Sequence, residues 1–240
     1  MYLYGFTKYV WADKIWKVNW KSTPWDLFLF WDEYFLSLWD DIPFFEQYPY
    51  EIREPESKFQ LIEKKFISSK TIDFINYMVY QRYCPYYNVI KYFLSPEIDK
   101  LLERKTAKKK SILTNSCINW NQNMQLDVEW QNLIIFPDLW TLMNTIDKSV
   151  MQQSHIDVLQ STNTQNQKDK SRWNIKQWNT KVIIATHSEI FQDYKNLKKI
   201  VIFYPHKRYY SNQQDPRYKT LAVVQKMSEI YKCKLEIIEN

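Results

Sequence analysis

Glycine is nearly missing: Gly5 stands alone in 240 residues, where ordinary usage is about 7%. One glycine cannot build a P-loop or a dinucleotide fingerprint, and no G-x-S-x-G nucleophile elbow can form. Turns are left to Asn, Asp and Pro. Histidine and cysteine are also sparse, three of each. The histidines give no HExxH pair, and Cys84, Cys117 and Cys233 lack the spacing of a disulfide framework or a zinc site. They read as small hydrophobes or idle thiols. Long apolar runs are missing too. The nearest approach to the ~20 uncharged residues that span a bilayer, Pro24 to Trp39, is interrupted by Asp26, Asp32 and Glu33. The adjacent acids Asp32-Glu33 and Asp40-Asp41 point apart on a helix and read as solvated. These absences together predict a chain that is not an enzyme, holds no cofactor or metal, and does not insert into a membrane.

What is present is unusual as well. Hydrophobic residues make up 45% of the chain and aromatics 18%. The rich residues Lys, Asn, Ile, Tyr and Phe have A- and T-rich codons, whereas Gly and Ala do not. Eleven tryptophans fit such a bias when a stop-like codon is read as Trp, as mitochondrial codes do. An organelle-encoded protein is therefore expected. Met1 to Lys21 agrees, resembling neither an Arg- and Ser-rich transit peptide nor a secretory signal. Charge is unevenly placed. Residues 1–60 carry 6 basic and 10 acidic side chains, whereas residues 165–235 carry 15 basic and 5 acidic. A net +10 in the C-terminal part is the footprint of a polyanionic partner.

Along the chain, residues 1 to about 55 are rich in Trp and Tyr and punctuated by proline. Trp25 to Trp39 reads as a buried helix with Thr23 as N-cap and Pro24 at its first position. From 56 to 106 the pattern is helical: Ile72, Ile75, Met78 and Val79 share a face, Pro85 ends that run, Asn88 to Leu94 follows, and Ser95-Pro96 opens a short helix. Arg104 to Lys110 reads as a cationic linker. Residues 1–110 are thus expected to be a mainly helical, aromatic-rich extension.

Beyond it, Leu126, Val128 and Trp130 alternate with acids as in a half-buried strand. Asn132 to Gln153 carries an apolar helical stripe, and His155 to Leu159 alternates again. Ser161 to Lys170 has no apolar residue and reads as a loop or hairpin arm. Lys181 to Ala185 and Lys199 to Phe203 are β-branched runs expected to pair. Asp215-Pro216 reads as a helix start carrying Leu221, Val224, Met227 and Tyr231 along one face, and Lys232 to Ile238 reads as a closing strand. The expected class is α+β: a ferredoxin-like βαββαβ domain over 120–240 with a long basic β-hairpin arm at about 160–199.

Pro205-His206-Lys207-Arg208-Tyr209, Asp215-Pro216-Arg217-Tyr218-Lys219-Thr220, Met227 and Leu235-Glu236-Ile237 carry a resemblance. They are similar to the signature of the universal S-ten family of small-subunit ribosomal proteins, with one extra residue between Arg208 and Asp215. Ala185-Thr186-His187 resembles that family's Ser-Pro-His. Residues 1–110 resemble nothing in it. The resemblance implies a structural constituent of the mitochondrial small ribosomal subunit in the matrix. It also implies that the chain binds rRNA of the 3′ major domain beside the S-three, S-nine and S-fourteen proteins, with residues 1–110 covering other mitoribosomal proteins. Lys168, Lys170, Arg172, Lys176, Lys181, Lys195, Lys198 and Lys199 would line the arm, with Trp173, Trp178 and Tyr194 interleaved for base stacking. His187, His206, Lys207, Arg208 and Lys219 would meet RNA at the sheet edge. The competing expectation is a matrix-facing accessory subunit of a respiratory-chain complex, which accounts for residues 1–60 but not for the basic region.

Overall fold

In the computed structural model, the aromatic residues near the start of the chain form sheet rather than helix. The structure describes residues 1–6, 14–31, 33–39, 50–82, 86–95, 98, 102, 117–121, 124–127, 129–146, 148–151, 153, 155–212 and 217–239. Two units divide the chain, Met1–Glu103 and Arg104–Asn240. Both helix and strand are present in each, so the protein is of mixed α and β class.

The first unit is built on a six-stranded sheet in the order β5-β2-β1-β4-β3-β6. Its strands are β1 (Tyr2–Phe6), β2 (Lys14–Val18), β3 (Leu27–Phe30), β4 (Glu33–Leu38), β5 (Tyr50–Ile52) and β6 (Gln60–Glu63). The expected helix over 25–39 is instead the antiparallel β3–β4 hairpin, with Leu27 opposite Leu36 and Phe30 opposite Glu33. Phe and Leu at this density suit a pleated, buried surface as well as a helix, and here cross-strand packing decides. Leu3, Val18, Phe28, Phe30, Phe35 and Phe59 form the core, with Phe30 stacked on Phe59 at 4.3 Å between ring centres. Helices α1 (Ser69–Arg82) and α2 (Tyr86–Ile90) follow. In α1, Ile75, Met78 and Val79 are buried as their spacing predicts, while Ile72 is half-buried. The expected helix over 88–94 is shorter and begins earlier, and among the described residues the extension holds a six-stranded sheet as well as helices. The readings of Pro85, of Ser95-Pro96 as a helix start and of the 104–110 linker lie outside the described residues.

The second unit opens with a hairpin of β7 (Cys117–Asn121) and β8 (Met124–Asp127). Its centre is a five-stranded sheet, β10-β11-β9-β12-β15, made of β9 (Gln131–Phe136), β10 (Ile156–Leu159), β11 (Val182–Thr186), β12 (Leu197–Phe203) and β15 (Lys234–Ile238). Every pairing in it is parallel. A ferredoxin-like sheet is antiparallel, so that expectation gives way to an open parallel sheet. The run over 182–186 does not pair with 197–203, because β9 lies between them. The central strands β9 and β11 are buried along their whole length, the mark of a sheet covered on both faces.

Three further expectations change. The stretch 132–153 is not one helix: Leu133-Ile134-Ile135-Phe136 is a continuous apolar run that folds as β9, followed by α3 (Leu139–Thr145) and α4 (Lys148–Met151). The β-hairpin arm is absent. Its polar stretch leads into α5 (Gln165–Lys176), where Thr164 and Gln167 form a reciprocal capping box. The last helix, α6 (Thr220–Tyr231), has Lys219 at its N-cap, so Asp215-Pro216 does not open it. Asp215 and Pro216 themselves lie outside the described residues, and Ser211–Asn212 (β13) pairs with Tyr218–Lys219 (β14) across them.

With glycine scarce, larger residues take the left-handed backbone. Trp25, Trp31, Lys65, Trp178, Tyr204 and Lys232 all have positive φ. Gly5 is spent on space instead: a Cβ there would lie 3.2 Å from both Phe35 and Trp16 side-chain atoms. Lys232 (φ 53°) closes α6, with its own N–H donating to Glu229 O and that of Cys233 to Ser228 O. This is a helix stop that favours glycine. Lys232→Gly is therefore expected to raise stability by about 1 kcal/mol and Gly5→Ala to lower it by about 1–3 kcal/mol. Urea unfolding midpoints check both, and a lowered midpoint for Lys232→Gly would contradict the strain argument.

Candidate nucleic-acid interface

The basic residues of the second unit fall into two groups once folded. Lys168, Arg172 and Lys176 on α5 and Lys199 on β12 face carboxylates of the same unit. Lys168 Nζ lies 2.7 Å from Glu189 and Lys176 Nζ lies 2.9 Å from Asp193. Arg172 reaches Asp169 within its own helix, and Lys199 Nζ lies 2.6 Å from Glu236. Glu236 is held below the ordinary carboxylate range first by its hydrogen bond to Lys199, with Lys234 adding to the effect. These lysines are mostly covered and neutralise the protein itself. Trp173 and Tyr194, expected to stack on bases, are buried. Lys168, Arg172, Lys176 and Lys199, assigned to RNA from the sequence, are thus placed against carboxylates of their own unit. Charge totals could not reveal it, because the partners Glu189, Asp193 and Glu236 lie far along the chain.

Others sit at the two ends of the parallel sheet. At the carboxyl end, three distant segments converge. Asp138 follows β9, His187 follows β11, and Tyr204 to Tyr210 follow β12. The chain leaves β9 toward the β10 side and leaves β12 toward β15, so adjacent strands send their loops apart. Such a divergence is where open parallel sheets bind ligands.

Tyr210 fastens this rim. Its hydroxyl is within hydrogen-bond reach of the carbonyl oxygens of Phe203 (2.7 Å) and Ile135 (3.1 Å), tying the turn Arg208–Tyr210 to the ends of β12 and β9. Burial, with the negative charge of Asp138, pushes its phenol far above the ordinary range. Asp138 caps α3, accepting from Thr141 N at 2.7 Å and Thr141 Oγ1 at 3.0 Å. His187 Nδ1 lies 3.1 Å from Pro137 O, and its ring meets Tyr210 edge-on at 6.2 Å. Tyr210, unlike the neighbouring basic residues, carries no charge signal in the sequence and was not foreseen.

Outside this staple, His206, Lys207, Arg208 and Lys219 are exposed. The pairing of Ser211 with Lys219 brings Lys219 beside the Arg208–Tyr210 turn. His206 Nε2 lies 3.3 Å from the exposed Glu239. Lys207 Nζ lies 5.6 Å from the centre of the Tyr204 ring. Among the described residues Lys207, Arg208 and Lys219 form no ion pair. Their chemistry is that of phosphate neutralisation, with Arg208 suited to a bidentate grip. Lys181, Lys195 and Lys198 lie at the opposite, amino end of the sheet, and Lys170 is exposed on α5.

Fold and rim together define a mixed α and β protein whose second unit is an open parallel sheet with a cationic carboxyl edge. Comparison of the sequence with known families and with curated proteins finds no family model and no curated protein that matches.

Lys176→Ala is expected to lower stability by about 1–3 kcal/mol through loss of its charged hydrogen bond to Asp193, while RNA affinity stays within about twofold of the parent. Parallel denaturant titration and filter binding check this. A large loss of RNA affinity at unchanged stability would return Lys176 to the interface.

Proposed function

We propose that this chain is a non-enzymatic RNA-binding constituent of the mitochondrial small ribosomal subunit, holding rRNA against the carboxyl rim of its parallel sheet. One observation carries the reading. In a unit where much of the basic charge is paired internally, Lys207, Arg208 and Lys219 stand exposed on converging loops without a carboxylate partner among the described residues. Cations kept exposed and close together repel one another, and a polyanion relieves that repulsion. The composition supports an organellar, matrix setting.

The S-ten-like signature remains a sequence resemblance; of its residues, His206 to Arg208 and Lys219 are exposed at one rim. The parallel sheet differs from the ferredoxin-like arrangement and its arm, so the proposal is made at the level of small-subunit rRNA. The 3′ major domain, with the S-three, S-nine and S-fourteen neighbours, is the first place to look for contacts.

Lys207→Ala with Arg208→Ala, both exposed, is expected to leave folding intact and to reduce co-sedimentation with small ribosomal subunits at least tenfold. Sucrose-gradient profiles of mitochondrial extract at two salt concentrations provide the measurement. Wild-type incorporation of the double variant would remove the rim as the RNA contact, and sedimentation of the parent away from ribosomal particles would remove the ribosomal reading.

A further inference from the structure

At the amino end of the same sheet, two partly exposed tryptophans each carry a lysine. Lys181 Nζ lies 3.7 Å from the centre of the Trp178 ring, and Lys198 Nζ lies 5.8 Å from that of Trp130. Trp178 remains 37% exposed and Trp130 36%. Trp178 also sits in left-handed backbone at φ 63°, just past the end of α5. A residue with a Cβ is strained there by about 1 kcal/mol.

What separates this pair from ordinary surface tryptophans is the bracing beneath them. Gln131 and Asn132 are 0% and 2% exposed. Gln131 Nε2 donates to Ile175 O (2.7 Å) and Thr180 O (3.3 Å), while its Oε1 accepts from Asn196 N (2.8 Å). Asn132 Nδ2 donates to Trp130 O (3.2 Å) and Lys181 O (3.4 Å). Two buried amides therefore tie together the segments that carry Trp130, Trp178–Lys181 and Lys195–Lys198. Because β9 lies between β11 and β12, these segments emerge within about 10 Å of one another, two strand spacings. Lys195 and Lys198 are exposed, and with Lys181 they form no ion pair among the described residues.

We infer that this amino rim is a second nucleic-acid site, where unpaired bases of single-stranded RNA stack on Trp130 and Trp178 while Lys181, Lys195 and Lys198 neutralise the phosphates. It shares with the proposed function the premise that the ligand is RNA, but uses the opposite end of the sheet and a different chemistry. Stacking needs an unpaired base face, so this rim discriminates single strands from duplex. At the carboxyl rim the exposed cations Lys207, Arg208 and Lys219 neutralise phosphate regardless of pairing.

Fluorescence anisotropy of the full chain with a labelled 12-nucleotide oligouridine, and with an RNA duplex of the same length, tests this. Trp130→Ala with Trp178→Ala is expected to weaken oligouridine binding about tenfold per ring and to change duplex binding less than twofold. Trp130→Phe with Trp178→Phe is expected to keep most of the affinity. Should the alanine pair not fold, Lys195→Glu with Lys198→Glu, both exposed, is expected to cut oligouridine binding at least tenfold. Oligouridine affinity within twofold of the parent in the folded alanine pair, or in the lysine pair, overturns the inference, as does an equal loss on duplex. Lys207→Ala with Arg208→Ala separates the two sites. Loss of binding there alone leaves the carboxyl rim and removes the amino one, loss in the tryptophan pair alone does the reverse, and failure of the parent to bind either RNA removes both.

Discussion

Burial of the parallel sheet on both faces is the constraint from which the second unit follows. Gln131 to Phe136 and Val182 to Thr186 are covered along their length, so the central strands present no face to solvent. Only the strand ends remain for contact with anything else. Of the polar side chains in these strands, Gln131 and Asn132 lie at the amino end and are consumed in binding loops together, whereas Thr186 is buried at the carboxyl end. Tyr210 does the equivalent at the other end. Both rims are thus stiffened by buried hydrogen bonds, each of which is costly to leave unmade.

The same burial explains why so much positive charge is internal. Helix α5 has few apolar residues to hold it, and Trp173 and Ile175 supply its buried side. Lys168 to Glu189 and Lys176 to Asp193 add two short ion pairs to the segment between β11 and β12. Ser171 Oγ and Thr180 Oγ1 both donate to the Asp157 carboxylate. A helix this polar docks by satisfying charges as much as by excluding water.

Several elements were legible in the sequence because their patterns have a single solution. The β-branched runs expected at 181–185 and 199–203 and the alternation at 155–159 emerged as strands within a residue or two, and of the stripe Leu221, Val224, Met227 and Tyr231 the last three are buried and Leu221 is half-buried. Leu133 to Phe136 did not, since a continuous apolar run fits a buried helix turn as well as a parallel strand. Strand order was illegible because it depends on which distant segment fills the place between β11 and β12. Helix α5 left a trace, Thr164 three residues before Gln167, which is a capping-box spacing; lack of apolar periodicity outweighed it. The rim residues His206 to Arg208 stood out as a cluster. That Lys168 and Lys176 are neutralised, and that Tyr210 anchors the rim, depends on contacts between residues far apart in sequence.

Three tryptophans occupy left-handed backbone, Trp25, Trp31 and Trp178, in places where most chains put a residue with no side chain. Tryptophan has far less freedom before folding than glycine, so these corners lose less entropy when they form. The same substitution removes the usual pivot points from the described turns. The backbone at these corners is therefore held to fewer alternative conformations than a glycine in the same place would allow.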